Sequence, residues 1–139
     1  MDFKIVIGDK DGKAYQQEIK GLEAENLLKK RIGQTVSGAE IGLPGYEFLL
    51  TGGSDKAGFP MRKGIQEPRK KVLIGKGVGF RGKKRALRKK KTRKDQQGLL
   101  KRRTVCGEMV TTSIRQLNLK VVKSGPNPLA SEATAEALN

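Results

Sequence analysis

The chain has no histidine and no tryptophan, one cysteine, and only two Tyr and four Phe among 139 residues. Without histidine, the commonest general base and the commonest metal ligand are both missing. No Ser-His-Asp triad can therefore form around Ser54 and Asp55. The lone Cys106 rules out an intrachain disulfide, which fits a reducing compartment. Its neighbours Val105 and Gly107 place it in an expected strand, as a buried and inert thiol. No apolar run approaches the roughly 18 residues that a membrane span needs. The opening Met1-Asp2-Phe3-Lys4 alternates and is not a signal peptide. Aromatics at 4% and hydrophobic residues at 35% predict a small, mostly aliphatic core, and the length suits one domain.

What the chain has in excess is positive charge, a formal +16 from 30 Lys/Arg against 14 Asp/Glu. The charge is not spread evenly. Residues 62–103 hold 19 Lys/Arg against two acids, Glu67 and Asp95, a net +17, which leaves the remainder at −1. A near-neutral body thus carries a cationic strip, and such a strip needs an external polyanion to balance it. Nucleic acid is the usual one; an anionic membrane surface is the alternative.

The body reads as mainly β: a small β barrel or sandwich with one packed α-helix and a basic extension. Phe3–Ile7 and Ala14–Lys20 flank the turn chemistry of Gly8-Asp9-Lys10-Asp11-Gly12 and predict a hairpin. The spacing of Ala24, Leu28 and Ile32 predicts a helix over 22–32, with Gly33 as its C-cap. Further strands are expected at Gln34–Gly38, Tyr46–Thr51, Lys71–Ile74, Thr104–Val110 and Leu117–Lys123. Gly52-Gly53-Ser54-Asp55 reads as a turn, and the segment 56–63 is irregular because Gly58 and Pro60 interrupt it. The expected division is a single body over 1–123, a basic arm at 81–103 inserted before the last strands, and a frayed tail at 124–139.

The arm is the main functional candidate. Arg81, Lys83, Lys84, Arg85, Arg88, Lys89, Lys90, Lys91, Arg93, Lys94, Lys101, Arg102 and Arg103 are opposed only by Asp95. Against phosphates, such cations release condensed counterions, and arginine adds bidentate contacts and stacking. Lys70, Lys71 and Lys76 extend the same candidate RNA-binding set. A solvated charge run or a nuclear import signal would have similar composition, and a DNA-binding protein would share the charge. Gly77-Val78-Gly79-Phe80-Arg81-Gly82 spells G-x-G-x-x-G, but a dinucleotide site needs a helix packed on a parallel sheet next. The following residues offer only Ala86 and Leu87 to bury. The glycines suit either a close backbone approach to phosphates or a hinge for the arm.

Gly52-Gly53-Ser54-Asp55-Lys56-Ala57-Gly58-Phe59-Pro60-Met61 resembles the signature of the eukaryotic-type small-subunit ribosomal protein S-six family, shared by archaea and eukaryotes. The basic arm, Arg102-Arg103-Thr104-Val105-Cys106-Gly107, Leu117–Lys123 and the opening Phe3–Ile7 agree with it in order, over roughly 1–123. The resemblance implies a structural protein of the small ribosomal subunit, cytoplasmic, with a β-barrel core and no enzymatic activity. Its partners would be the subunit's ribosomal RNA and neighbouring ribosomal proteins, with no membrane, small-molecule substrate, cofactor or metal. Two features depart from the family pattern. The Ala/Glu tail ending at Asn139 stands where eukaryotic members continue into a long basic helix with phosphorylated serines, and the shorter length looks archaeal. The run from Ala86 to Leu100 is longer and less uniformly basic.

Overall fold

A computed structural model describes residues 2–83, 97–126 and Leu129. Among them seven strands are formed: β1 (Asp2–Gly8), β2 (Ala14–Lys20), β3 (Thr35–Ser37), β4 (Glu47–Asp55), β5 (Arg69–Ile74), β6 (Lys101–Cys106) and β7 (Ile114–Lys123). A short α-helix, α1 (Leu22–Asn26), follows β2, and a 3-10 turn (Gly38–Ile41) follows β3. The protein is mainly β, with its principal sheet curled as a half barrel.

That sheet runs β2-β1-β7-β4-β3. Alternation dictates which faces are buried. Phe3, Ile5 and Ile7 of β1, and Leu117, Leu119 and Val121 of β7, all point into the core. Phe48 and Leu50 of β4 join them. Each such side chain contributes about 1.5–3 kcal/mol on burial. The first and last strands pair in parallel, Ile5 beside Leu117 and Ile7 beside Leu119, while the other strand pairs of this sheet are antiparallel. The β1–β2 turn forms as expected: Gly12 takes φ 82°, and the Asp9 carboxylate accepts the Lys10 amide at 2.7 Å. Beyond β7, Pro126 lies against Gly45 and Leu129 is buried in the core.

Three sequence expectations are corrected. The helix predicted over 22–32 is formed only at Leu22–Asn26. Lys29 turns left-handed at φ 64°, and the amides of Lys29 and Ile32 donate to the carbonyls of Val110 and Glu108. Long-range backbone pairing there displaces the intrahelical bonds. Residues 107–110, predicted as strand, lie beyond the end of β6 and serve instead as partners of 29–32.

The third correction concerns Gly52-Gly53-Ser54-Asp55, predicted as a turn but forming the end of β4 with irregular register against β7. A Cβ on Gly53 would stand 2.3 Å from the Gln116 carbonyl oxygen and 3.1 Å from the Met61 sulfur. The glycine therefore permits close strand approach rather than chain reversal.

Strands β5 and β6 form a separate two-stranded ribbon, joined to the body where Cys106 bridges Met61. One ribbon face rests on a second apolar cluster of Ile74, Phe80 and Val105, supported by Ile65, Val72 and Leu99.

Candidate nucleic-acid interface

The ribbon register determines where its charges sit. Lys70 lies opposite Val105, Lys71 opposite Thr104, Val72 opposite Arg103, Leu73 opposite Arg102 and Ile74 opposite Lys101. Because facing residues share a side, the cations occupy both faces, with Lys70, Lys71, Lys101, Arg102 and Arg103 all exposed. Lys76 and Arg81 are exposed on the turn that follows β5. Lys70 pairs with Glu67 at 2.7 Å. The candidates Lys84, Arg85, Arg88, Lys89, Lys90, Lys91, Arg93 and Lys94 lie outside the described residues.

Five of the predicted cations, Lys71, Arg81, Lys83, Arg102 and Arg103, converge on one open cleft of about 880 Å³. Phe59, Pro60, Gly79, Phe80 and Thr104 complete its lining, which contains no carboxylate among the described residues. Arg103 sits over the buried Phe80 ring, 5.7 Å from its centroid, and so holds a set direction.

The glycine pattern has a local explanation. Gly77 and Phe80 exchange backbone hydrogen bonds of 2.8 and 3.1 Å across a tight turn, with Gly79 at φ 93°. A Cβ on Gly79 would come within 2.9 Å of Val105 Cγ1 and 3.2 Å of Ile74 Cδ1. The Arg62 guanidinium donates to the Val78 carbonyl at 2.6 Å and secures the turn. These glycines let the turn pack onto the ribbon.

The other cleft wall is set by Asp55, which is only 3% exposed. Its Oδ1 accepts the Phe59 amide at 2.8 Å. Its Oδ2 accepts the Cys106 thiol at 3.1 Å and a guanidinium N–H of Arg69. Burial alone would raise the Asp55 carboxyl, but the bonds from Cys106, Phe59 and Arg69, with the Arg69 charge, hold it below its ordinary value. Burial, then the bond to Asp55 and its charge, push the Cys106 thiol up to about 11. It is protonated at neutral pH and inert as a nucleophile. The bond to Asp55 raises the Arg69 guanidinium further. Arg69 also covers the Phe59 ring at 5.0 Å. This residue lies within the basic strip, yet it works as a clamp between the loop 55–61 and the ribbon.

A second carboxylate, Glu108, does comparable work. It accepts the Gly64 amide at 2.9 Å, and Gln66 and Arg31 at 3.2 Å each. The Gly64 bond leads in lowering its pKa; burial opposes it, and Gln66 and the Arg31 and Lys63 charges assist. Neither carboxylate was identifiable in the sequence as an anchor, because each gathers partners far apart along the chain. The spacing Asp55-x-x-x-Phe59 was the only local hint.

Among the described residues, no group of three or more His, Cys, Asp or Glu side chains could hold a metal ion. No described helix is long and apolar enough to cross a membrane. What the described surface offers is a concentration of positive charge, with Lys71, Arg81, Lys83, Arg102 and Arg103 around one cleft.

Comparison with known proteins gives this a family. Residues 3–134 match the model of ribosomal protein S6e. The chain is 41% identical over 132 residues to small ribosomal subunit protein eS6 of Archaeoglobus fulgidus, covering 93% of each chain. It is 42% identical over 121 residues to that of Methanococcoides burtonii, covering 86% of this chain and 81% of the relative. With that of Methanococcus maripaludis the identity is 38% over 134 residues, covering 95% and 96%. The protein is therefore a ribosomal protein of archaeal type; it belongs to the ribosomal protein S6e family.

Proposed function

We propose that this protein is a structural constituent of the small ribosomal subunit, takes part in translation, and binds ribosomal RNA without catalysing a reaction. The family match over residues 3–134 carries this reading, and the relatives' names place those proteins in the small subunit. The body spans 1–123, with the basic arm 81–103 inserted before its last strands and 124–139 as a tail. The arm, the ribbon cations Lys70 and Lys71, and Lys76 on the turn after β5 screen phosphates that would otherwise repel one another. The partners are small-subunit ribosomal RNA and adjacent ribosomal proteins, in the cytoplasm.

Co-sedimentation tests the assignment. The protein should travel with small subunits at moderate salt, and recovery only in the free pool would refute it. Replacing Arg88–Lys91 with serine should reduce the slope of log affinity against log salt by roughly 3, at about 0.7–0.9 for each phosphate no longer neutralised. The melting temperature should stay within about 2 °C, since four cationic side chains bring little apolar surface that a core could bury.

A further inference from the structure

We infer that the cleft between the β5–β6 ribbon and the turn at 77–83 is a preformed receptor for unpaired RNA backbone, acting separately from segment 84–96. This rests on the RNA-binding reading above and names the form of RNA that the described surface takes.

Three observations carry it. First, three of the cleft's cations have no ion pair among the described residues. Lys71, Arg81 and Arg102 line the cleft, and no carboxylate among the described residues pairs with any of them. Elsewhere on the body several cations do meet carboxylates: Arg115 pairs with Asp2 and Glu18, Lys123 with Glu47 and Arg31 with Glu108.

Second, the walls are fixed without a ligand. The Gly77–Phe80 turn is wedged over Val105 and Ile74, and Arg62 ties its carbonyl. On the opposite side, Asp55 holds the Phe59 amide. Cations on such a scaffold need little reordering to meet a phosphate, so less of the attraction is lost to entropy. A run of lysines and arginines held only by its own backbone would not have this advantage.

Third, the cleft is concave and its cations come from three directions: β5, β6 and the turn. A duplex presents its phosphates on a convex cylinder, which touches one rim at a time. A looped or bulged strand can enter and meet all three. Unpaired RNA is also where protein recognition discriminates most. The Thr104 hydroxyl on the cleft wall can donate to a phosphate oxygen or accept from a ribose 2′-hydroxyl.

The test uses the full-length protein and two RNA probes of equal length. One is a hairpin with an unpaired internal loop; the other is a perfect duplex. Wild type should bind the looped probe at least tenfold more tightly. The variant Lys71→Gln/Arg81→Gln/Arg102→Gln should lose that preference, with the looped probe weakened tenfold or more. Its salt slope should fall by about 2, for three phosphates at about 0.7 each on a single strand. Serine at Arg88–Lys91 should weaken both probes alike and keep the preference. Equal weakening of both probes by the cleft variant, or no preference in wild type, would overturn the inference. Failure of wild type to bind either probe would instead refute RNA binding as a whole. Should the triple variant not fold, Arg102→Gln alone should lower the preference at least threefold, and an unchanged ratio would overturn the proposal.

Discussion

Removal of the Asp55 carboxylate is the sharpest test of how the ribbon is held. In Asp55→Ala, three donors lose their acceptor: the Phe59 amide, the Cys106 thiol and the Arg69 guanidinium. The amide matters most, because a buried unsatisfied donor costs about 1–3 kcal/mol. The thiol is a weak donor and adds little. Arg69 keeps 47% of its side chain in solvent, so water replaces its partner and its share falls to about 0–1 kcal/mol. The carboxylate's own burial penalty disappears with it and offsets part of the loss. The net cost is about 2 kcal/mol, a sizeable part of the 5–15 kcal/mol that holds a typical domain folded. At about 4 °C per kcal/mol for a chain of this size, melting should fall by about 8 °C. Asp55→Asn keeps an oxygen for the Phe59 amide and should lose only about half as much. Urea unfolding with a two-state fit supplies the comparison. A loss below about 1 kcal/mol for Asp55→Ala would show that the clamp is dispensable. The acid limb gives an independent check. Because the folded carboxyl titrates lower than its unfolded value of 3.8, its stabilising share is present above pH 3.8 and fades as pH falls through the lower folded value. Asp55→Asn should lack that component.

Cys106 predicts the opposite limb. Its proton is held up to about pH 11 against an ordinary 9.0. Because burial disfavours the thiolate, the fold loses nothing to this group below pH 9 and is destabilised between about 9 and 11, by on the order of 2–3 kcal/mol. Cys106→Ala should lose stability at pH 7 and show a flatter decline above pH 9 in parallel urea titrations; an unchanged alkaline limb would refute the thiol's role. Gly53→Ala should cost about 2 kcal/mol or more, since its Cβ would collide with the Gln116 carbonyl oxygen at 2.3 Å. Gly52→Ala meets nothing within 4 Å and serves as the control in the same thermal melts. Glu108→Ala removes the acceptor of the exposed Gly64 amide and should lower the melting temperature, with faster hydrogen exchange at Gly64 than in wild type.

Local alternation made most of the strands legible. Phe3–Ile7 and Leu117–Lys123 carry period two in their own letters, and both fall within observed strands. The helix prediction failed where local pattern met distant backbone. Ala24, Leu28 and Ile32 have helical spacing, but Val110 and Glu108 offer carbonyls that no local pattern announces. Gly52-Gly53 reads as a turn because glycine permits both chain reversal and close packing, and only the approach of β7 decides between them. At the site, cations were countable along the chain. Which of them share a cleft depends on the β5–β6 register and on a turn packed against Val105. Arg69 looked like one more basic residue, and its role became visible only beside Asp55 and Phe59.

The placement of β7 between β1 and β4 sets an order of events during synthesis. The central strand of the principal sheet is the last to be made, so β1 and its hairpin must wait more than a hundred residues for their inner neighbour. Such distant pairing slows closure, and chains emerge at roughly 5–20 residues per second. The cationic stretch therefore leaves the translating machinery seconds before the sheet that supports it is complete. A nascent chain halted before Ile114 should remain protease-sensitive throughout its β1–β2 hairpin, and should become resistant once Lys123 has cleared.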